Sequence, residues 1–534
     1  METLESDTFT NRVQALMSQH HVPGVSIALV QNDQFASRGY GSACLDPLVP
    51  CTPETLFDIA SSSKSLTAGC VGLLVDDDER YPEVRWDAIL SELLPGDFVM
   101  PGVGYTEGVT VEDILSHRSG MPSHDSSYMG PRATHPDDAR SVTRNLRNLP
   151  VAAPIRSKYM YCNMMYTVAT YLVEVKSGQS FSDFLQNRIS EPLNMPSTSL
   201  QPSRARSRGH GHRIATGYQW NKSKSTYTIH ESPDCPEGQG AGSVISSAVD
   251  FIKWVKALIN HETPITPRLY HGLVRLRTFT NPGMQRLKKH TSPKAYAAGV
   301  EVYFYRGVTV VGHDGCIDGF ASRFFFLPDF KFGAVILANS DGGTGLTTIL
   351  ARELIDSVLG FGGSNLPGIP RLPARSKPKN KQKSSSAITT ETPAIKDSAK
   401  QTEDDPESDC KSDTTTQKPS NPDVGSAAKT SNPPIEQLRV LTGEYTNPGY
   451  HSFVVQMEDN KVFIDASDRS TGFFLTFDHV RDQTEYVAHF HDTLDEDSFE
   501  DIGAEFVFEN GRAVRMGLHM EPALKELIWF ERVD

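Results

Sequence analysis

Long hydrophobic runs are missing from this 534-residue sequence. None approaches the roughly 18 consecutive apolar residues that a membrane-spanning helix needs. The first residues are acidic and polar, and they lack the basic and apolar segments of a secretory signal peptide. The sequence therefore predicts a cytoplasmic protein that does not enter a membrane.

Positive charge is also scarce. Lysine and arginine together number 52 against 66 aspartates and glutamates, which gives a formal net charge of −14. Without a basic stripe the protein could not offset the repulsion of nucleic-acid phosphates, so we expect no nucleic-acid partner. A small-molecule or peptide substrate is compatible with this charge.

Metal-ligand patterns are absent as well. The seven cysteines are scattered, and none forms a Cys-x-x-Cys pair. The stretch 209–212 reads Gly-His-Gly-His, but neither a carboxylate nor a cysteine nearby completes a ligand set. We interpret this stretch as a polar loop, and we expect neither a metal nor another cofactor.

Aromatic residues are missing from one long internal segment, 363–434, which is rich in serine, threonine, proline, lysine and aspartate. Such a segment cannot bury enough apolar surface to offset the loss of chain entropy on folding. We therefore predict a disordered linker over 363–434. It would separate a first domain, 1–362, from a second domain, 435–534.

The most informative feature that is present is a serine and a lysine three residues apart, Ser61 and Lys64. The preceding letters LFDIA favour a strand, and SKSLTAGCVGLLV favours a helix. At a helix start these two side chains share a face, and the helix N-terminus favours a developing oxyanion. The pair predicts an activated serine nucleophile. Alone it could also be a capping serine followed by a solvated lysine, and the same spacing recurs three times inside 363–434.

Two further motifs accompany this pair. A Tyr-x-Asn pattern at Tyr161 and Asn163 precedes an amphipathic helix, and a His-x-Gly pattern at His313 and Gly315 ends the strand-like run GVTVVG. Ser-x-x-Lys, Tyr-x-Asn and His-x-Gly in this order resemble the motif set of the serine β-lactamase and penicillin-binding-protein-like superfamily, the peptidase S12 group.

The resemblance extends over about residues 8–360. VEDILSHRSGMP resembles a characteristic segment of that group, PDFKFGAVILANSD its last core strand, and TTILARELIDSVLG its terminal helix. It implies a β-lactamase-like α+β fold: an antiparallel sheet whose first and last strands pair, flanked by helices, with a helical insertion from about 60 to 290. The pocket would lie where the sheet meets this insertion.

The resemblance also implies roles for four residues. Ser61 would be the nucleophile, and Lys64 would be a neutral base whose pKa must be lowered by burial and by neighbouring positive charge. Tyr161 would exchange a proton with Ser61 and the leaving group, and Lys64 would lower its pKa. Asn163 would hold the substrate amide or the Lys64 ammonium group. From the residues alone, Tyr161 could also be a core aromatic and Asn163 a helix cap.

The third motif would bind the substrate. Gly315 would let the substrate backbone approach closely, and the N–H of Cys316 would pair with that of Ser61 as an oxyanion hole. His313 stands where penicillin-recognising relatives often carry lysine. Asp314 stands in place of the usual threonine, and a carboxylate facing the pocket would repel an anionic substrate.

Period-two alternation dominates 435–534. FVVQMEDNKVFIDA and AEFVFENGRAVRMGLHM read as hairpins, the second with a favoured Asn-Gly turn. We predict a small antiparallel sheet or barrel, and its start resembles the lipocalin-like C-terminal domain of some S12 peptidases. Tyr445 and Asn447 repeat the Tyr-x-Asn pattern, but the glycines and proline around them indicate a turn, not a second site.

Together these features predict a serine hydrolase that cleaves an ester or amide bond through an acyl-enzyme on Ser61, as a peptidase or esterase does. One alternative is an acyltransferase, in which a small acceptor replaces water in discharging the same intermediate. The other is a non-catalytic scaffold, whose pocket binds a metabolite while the linker and β domain recruit partners. Intact Ser61, Lys64 and Tyr161 argue against the scaffold.

Overall fold

The computed structural model of the chain describes residues 2–361 and 435–534, except residues 483 and 494. The predicted linker, 363–434, lies outside the described residues. Within them, no helix has both the length and the apolar character needed to cross a lipid bilayer.

One large antiparallel sheet organises the first part of the chain. Its nine strands lie in the order β3-β2-β1-β14-β13-β12-β11-β10-β9. The predicted pairing of the first long strand with the last is confirmed, with Val25 opposite Ala338. The strands of this part are β1 (Gly24–Gln31), β2 (Gln34–Leu45), β3 (Leu48–Pro50), β4 (Leu56–Asp58), β5 (Ser199–Leu200), β6 (Gly217–Asn221), β7 (Thr226–His230), β8 (Val244–Ser247), β9 (Thr278–Phe279), β10 (Ala295–Tyr296), β11 (Glu301–Tyr305), β12 (Val308–Ile317), β13 (Phe320–Leu327) and β14 (Phe332–Ala338).

Helices cover both faces of the sheet, and most of them belong to the predicted insertion between β4 and β9. The helices of this part are α1 (Asp7–Gln19), α2 (Ser63–Asp76), α3 (Leu90–Leu93), α4 (Val111–Leu115), α5 (Ala139–Asn145), α6 (Met164–Ser177), α7 (Phe181–Leu185), α8 (Pro202–Ser207), α9 (Ala248–Asn260), α10 (Pro267–Val274) and α11 (Gly343–Val358), whereas α12 (Ile435–Arg439) precedes the strands of the second part of the chain. This arrangement confirms the predicted β-lactamase-like α+β fold.

Strand alternation divides the core between the two faces. On β13, Phe324 and Phe326 pack in the core that contains Trp254 of α9 and the apolar residues of the insertion. Phe325 and Leu327 point the other way, into the core formed with α1 and α11. Successive strand residues face opposite sides of a sheet, so one strand supplies both cores.

The strands of residues 443–532 form a closed antiparallel barrel of eight strands in sequence order. Its strands are β15 (Gly443–Asn447), β16 (His451–Glu458), β17 (Lys461–Ala466), β18 (Phe473–Arg481), β19 (Glu485–Asp492), β20 (Asp495–Glu509), β21 (Arg512–Leu518) and β22 (Ile528–Arg532). Phe453, Phe473, Phe506 and Phe530 are buried in its core. The predicted antiparallel β-barrel is therefore confirmed.

Candidate active site

Ser61 lies in the turn between β4 and α2. The residue before it, Ala60, has a left-handed backbone with φ of 45°, a conformation that costs roughly 1–2 kcal/mol for a residue with a side chain. The buried Asp58 carboxylate holds this turn by accepting the Ala60 N–H at 2.8 Å. Ser61 stays partly exposed while residues 62–65 are buried. The turn therefore presents the Ser61 hydroxyl at the start of the helix.

Lys64 is fully buried one helical turn later. Its Nζ lies 3.0 Å from Ser61 Oγ, 2.9 Å from Asn163 Oδ1 and 2.8 Å from the Ala241 carbonyl oxygen. Burial lowers the pKa of Lys64 to about 7, although the charge of Asp125 acts in the opposite direction. A neutral amine is therefore well populated near neutral pH, as a general base requires.

The neighbours of Lys64 determine where its lone pair points. A neutral amine has two N–H donors and one lone pair. Asn163 Oδ1 and the Ala241 carbonyl can only accept hydrogen bonds, so they take the two donors. Ser61 is the one neighbour of the three that can donate, so the lone pair of neutral Lys64 faces the Ser61 hydroxyl proton.

Tyr161 completes the contacts of Ser61. Its hydroxyl donates to Ser61 Oγ at 2.8 Å, and Lys64 Nζ lies 4.7 Å from the centre of its ring. Burial raises the pKa of Tyr161 far above its usual value. The expectation that Lys64 would lower this pKa is therefore wrong, because desolvation of the phenolate dominates. Tyr161 is a neutral hydrogen-bond donor.

His117 packs against the ring of Tyr161. The imidazole is fully buried and packs on the Tyr161 ring with centroids 4.2 Å apart. Its Nδ1 accepts the N–H of Cys162 at 3.1 Å. The segment 111–122, which contains His117, resembles the family in sequence, but that resemblance assigned the residue no role.

Asn163 links Lys64 to a carboxylate that the sequence analysis missed. While its Oδ1 accepts from Lys64, its Nδ2 donates to Asp125, at 3.2 Å from Oδ1 and 3.4 Å from Oδ2. Burial raises the pKa of Asp125 to about 6, and the nearby Glu521 adds to the rise. A single aspartate in the polar loop SHDSS carries no pattern that would have identified it.

The third motif lies on β12, beside the turn of Ser61. A Cβ atom added to Gly315 would come within 2.4 Å of the Ile59 carbonyl oxygen and 3.0 Å of the Ser61 nitrogen, so the strand passes close to Ser61 only because residue 315 is glycine. Strand β11 pairs with β12 only as far as Gly312. Residues 313–317 thus extend beyond β11 on that edge.

His313 is buried and uncharged. Its Nδ1–H donates to the Asp314 carbonyl at 2.5 Å, and its Nε2 accepts the Tyr296 hydroxyl at 2.7 Å. Burial lowers the pKa of His313, and the charge of Lys64 contributes in the same direction. Although His313 stands where a lysine is frequent in the group, it brings no positive charge to the site.

Asp314 faces away from Ser61. Its carboxylate pairs with Arg323, opposite it on β13, at 2.6 Å, and Arg323 also donates to Thr348 of α11. The carboxylate therefore lies on the α11 face and not in the pocket, which removes the expected repulsion of anionic substrates. Cys316 follows two residues later and shares this side-chain face, opposite Ala321. An oxyanion-hole role for its N–H stays a prediction.

The described residues contain no group of three or more histidine, cysteine, aspartate or glutamate side chains that could hold a metal ion. What they do contain is the Ser61 hydroxyl, placed between the Lys64 amine and the neutral phenol of Tyr161. Such an arrangement can move a proton from Ser61 to Lys64 and return one through Tyr161.

Sequence comparisons identify two family models along the chain. Residues 9–357 match the model described as "Beta-lactamase", and residues 427–532 match a "Domain of unknown function (DUF3471)". The first match covers the long strands of the large sheet and the helices packed on them, and the second covers the β-barrel.

Among curated relatives, "Unguisins hydrolase ungD'" of Aspergillus campestris (strain IBT 28561) is 36% identical over 360 residues, which cover 67% of this chain and 66% of the relative. "Unguisins hydrolase ungD" of Aspergillus violaceofuscus (strain CBS 115571) is 35% identical over 375 residues, which cover 66% of this chain and 65% of the relative. These alignments span slightly less than two thirds of each relative's own length.

Solved structures resemble the fold of this chain at low sequence identity. The octameric penicillin-binding protein homologue from Pyrococcus abyssi aligns with a TM-score of 0.56 and 18% identity over 98% of this chain and 100% of that chain. The crystal structure of SurE aligns with a TM-score of 0.55 and 17% identity over 99% and 98% of the two chains. At this identity the likeness concerns the fold alone. The family match over 9–357, the 36% identical relative and the fold agree, and the chain belongs to the Beta-lactamase family, a group of hydrolases with the β-lactamase fold.

Proposed function

We propose that this protein is a serine hydrolase that cleaves an ester or amide bond through an acyl-enzyme on Ser61. The observation that carries the proposal is the hydrogen-bond network at Ser61 Oγ, which lies 3.0 Å from Lys64 Nζ and accepts the Tyr161 hydroxyl at 2.8 Å. The family membership supports hydrolysis, as do the relatives named unguisins hydrolases.

In the first half of the reaction, Ser61 Oγ bonds to the carbonyl carbon of the substrate while its proton passes to Lys64 Nζ. The Ser61 N–H stabilises the oxyanion that forms. The bond to the leaving group then breaks, and the proton held by Lys64 returns through the Tyr161 hydroxyl to that group. In the second half, water repeats these steps on the acyl-enzyme and regenerates Ser61.

The charges around the site favour a particular acyl donor. His313 is neutral, and Asp314 is paired on the far face of the sheet. Neither residue can recognise or reject a carboxylate beside the scissile bond, so we expect neutral donors to be accepted. Unguisins and small neutral esters or amides are therefore the first compounds to assay.

The test is Ser61→Ala, assayed with a p-nitrophenyl ester and labelled with a fluorophosphonate probe followed by peptide mapping. We expect turnover to fall by on the order of 10³-fold or more, with the free energy of unfolding within about 1 kcal/mol of wild type. Ser426→Ala is a matched control, because Ser426 begins another Ser-x-x-Lys pattern. It should label and turn over like wild type.

A tenth or more of the activity remaining in Ser61→Ala, or label on another residue, would refute the proposal. Covalent labelling without turnover of any ester or amide would favour the scaffold. Faster product release with added small nucleophiles, accompanied by transfer products, would indicate the acyltransferase instead of the hydrolase.

A further inference from the structure

The loop 123–130 runs between the Ser61 network and the β-barrel. At its centre, Asp125 begins a single 3-10 turn, and His124 before it has a left-handed backbone with φ of 49°. We call residues 123–130 the Asp125 loop. It places one carboxylate against the amide that contacts Lys64.

Asp125 determines which way that amide points. The oxygen and nitrogen ends of an asparagine amide have nearly the same shape, and only hydrogen-bond partners distinguish them. A carboxylate can only accept, so Asp125 takes the Nδ2 end of Asn163. The Oδ1 end is thereby turned to Lys64, at 2.9 Å from Nζ.

The barrel holds the loop just before Asp125. Glu521, from the segment between β21 and β22, is 4% exposed. Its Oε2 accepts from Ser123 Oγ and from the His124 N–H, both at 2.9 Å, while its Oε1 accepts the Ala523 N–H at 3.0 Å. One barrel carboxylate thus binds the backbone that leads into Asp125.

The barrel also holds the His124 side chain. The hydroxyl of Tyr450 donates to His124 Nδ1 at 2.7 Å, and His124 Nε2 donates to the Pro150 carbonyl at 2.9 Å. Burial lowers the pKa of His124, which agrees with this neutral, singly protonated form.

Barrel residues bind the loop after Asp125 as well. The Ser470 N–H donates to the Tyr128 carbonyl at 3.2 Å, and the Gly130 N–H donates to the Asp468 carbonyl at 2.9 Å. Contacts at 123–124 and at 128–130 flank Asp125 on both sides. The position of its carboxylate therefore depends on the barrel.

We propose that Asp125 is a positioning residue for the Ser61 site, and that Glu521 of the barrel acts through it by holding the Asp125 loop. This inference rests on the proposed function, because it assigns Asp125 to the orientation of Asn163 and Lys64. It gives the barrel a part in the reaction without contact with the substrate.

The charge of Asp125 affects the pKa of Lys64. The pH dependence of the reaction is therefore a readout that a purely structural role of Asp125 would not change. Asp125 opposes the fall in the pKa of Lys64 that burial causes, so removing its charge should lower that pKa further. Glu521 also faces Asp125, and its charge raises the pKa of that carboxyl. The Tyr166 ring faces Lys64, and burial raises the pKa of its phenol. Further titratable groups that face Asp125 or Lys64 remain neutral through burial, which raises the pKa values of the phenols and the thiol and lowers those of the imidazoles. They are Tyr128, Tyr161, Cys162 and Tyr450, together with His117 and His313.

The experiment measures the second-order rate of Ser61 labelling by a fluorophosphonate probe between about pH 5.5 and 9, in the full chain. Asp125→Ala should slow labelling on the order of ten- to a hundredfold, because Asn163 and Lys64 lose their orientation. Asp125→Asn can still accept from Asn163 through its Oδ1. It should therefore keep most of the rate above pH 8, with the acid limb of its profile displaced to lower pH.

Glu521→Ala should also slow labelling, and the double variant Asp125→Ala/Glu521→Ala should be no slower than Asp125→Ala alone. Such non-additivity is expected when two residues act through one contact. Glu526→Ala is the control, since Glu526 lies in the same segment and is exposed. It should label like wild type.

Wild-type rates and an unmoved acid limb in both Asp125 variants would overturn the inference, as would losses that add in the double variant. If Asp125→Ala or Glu521→Ala fails to fold, the acid limb of the isosteric Asp125→Asn decides. Failure of the proposed function is distinguishable, because Ser61→Ala would then retain labelling or turnover whatever the Asp125 variants do.

Discussion

The chain carries the Tyr-x-Asn pattern twice, and the two copies differ in their hydrogen-bond partners. In the first domain, Tyr161 donates to the Ser61 hydroxyl, and Asn163 bridges Lys64 and Asp125. These partners are side chains that can accept, donate or lose protons. The first copy therefore takes part in a network able to perform chemistry.

The copy in the barrel binds main-chain atoms. Tyr445 donates to the Leu441 carbonyl at 2.8 Å, and Asn447 Oδ1 accepts the N–H groups of Gly449 and Tyr450 at 2.8 and 2.9 Å. An asparagine that accepts from the backbone two and three residues on stabilises a turn. The same three-residue pattern thus supports a turn in the barrel and the hydrogen-bond network of Ser61 in the first part of the chain.

The largest expected difference between the copies is in activity. Tyr161→Phe should lower kcat/KM for a p-nitrophenyl ester by about 10²–10⁴-fold, because the leaving group loses its proton donor. Tyr445→Phe should leave kcat/KM unchanged per folded molecule. It should lower the free energy of unfolding by about 1–3 kcal/mol, because the buried Leu441 carbonyl loses its partner.

Both variants require kinetics and urea unfolding under the same conditions. If Tyr161→Phe lost only stability, or if Tyr445→Phe lost activity at full folding, the division between the two copies would be wrong.

The second expected difference is in stability. Burial holds the pKa of Lys64 at about 7, below the 10.5 of an unperturbed lysine, so the folded state binds fewer protons than the unfolded state between these values. Stability therefore rises with pH across this window, and at pH 7 the buried amine is a cost. Lys64→Met should raise the free energy of unfolding at pH 7 by about 1–4 kcal/mol while abolishing turnover.

The difference in the free energy of unfolding between Lys64→Met and wild type should become smaller as the pH rises from 7 towards 10.5. Chemical unfolding at several pH values measures this difference. A constant difference would mean that packing, and not the proton, accounts for the change. We expect no substitution of Tyr445 or Asn447 in the barrel to raise the free energy of unfolding in this way, because the contacts of these two residues stabilise the fold.

The smallest expected effect concerns Asp314. Its carboxylate pairs with the Arg323 side chain, on the face of the sheet that points away from Ser61. Asp314→Asn should change kcat/KM less than about twofold for neutral and anionic members of one ester series, and the partly exposed pair with Arg323 should contribute at most about 1 kcal/mol. A selective gain for the anionic ester would show that the carboxylate reaches the pocket after all.

The sequence predicts site residues best where the residues that act together stand only a few positions apart. Ser61 and Lys64 share a helix face, and Tyr161 and Asn163 stand two residues apart, so short patterns reveal them. Asp125 could not be found in this way, because its partner Asn163 is distant in sequence. Glu521 is harder still, since its contacts depend on how the barrel packs against the loop.

The orientation of the Asp314 side chain could have been inferred from the sequence. Successive residues of a strand face opposite sides, so a strand that turns His313 and Gly315 towards Ser61 must turn Asp314 away. The orientation of Asp314 therefore follows from the alternation alone. The contribution of Ala241 could not be inferred, because it is a carbonyl oxygen that any residue would supply.

The pairing of β1 with β14 has a consequence for synthesis of the chain. A ribosome releases Ser61 and Lys64 early, yet the strand that places Gly315 beside them emerges much later. Strand β1 cannot pair with β14, and the large sheet cannot form completely, until β14 has been synthesised. We expect nascent chains and premature termination products to be inert, because the Ser61 site is complete only in fully synthesised molecules.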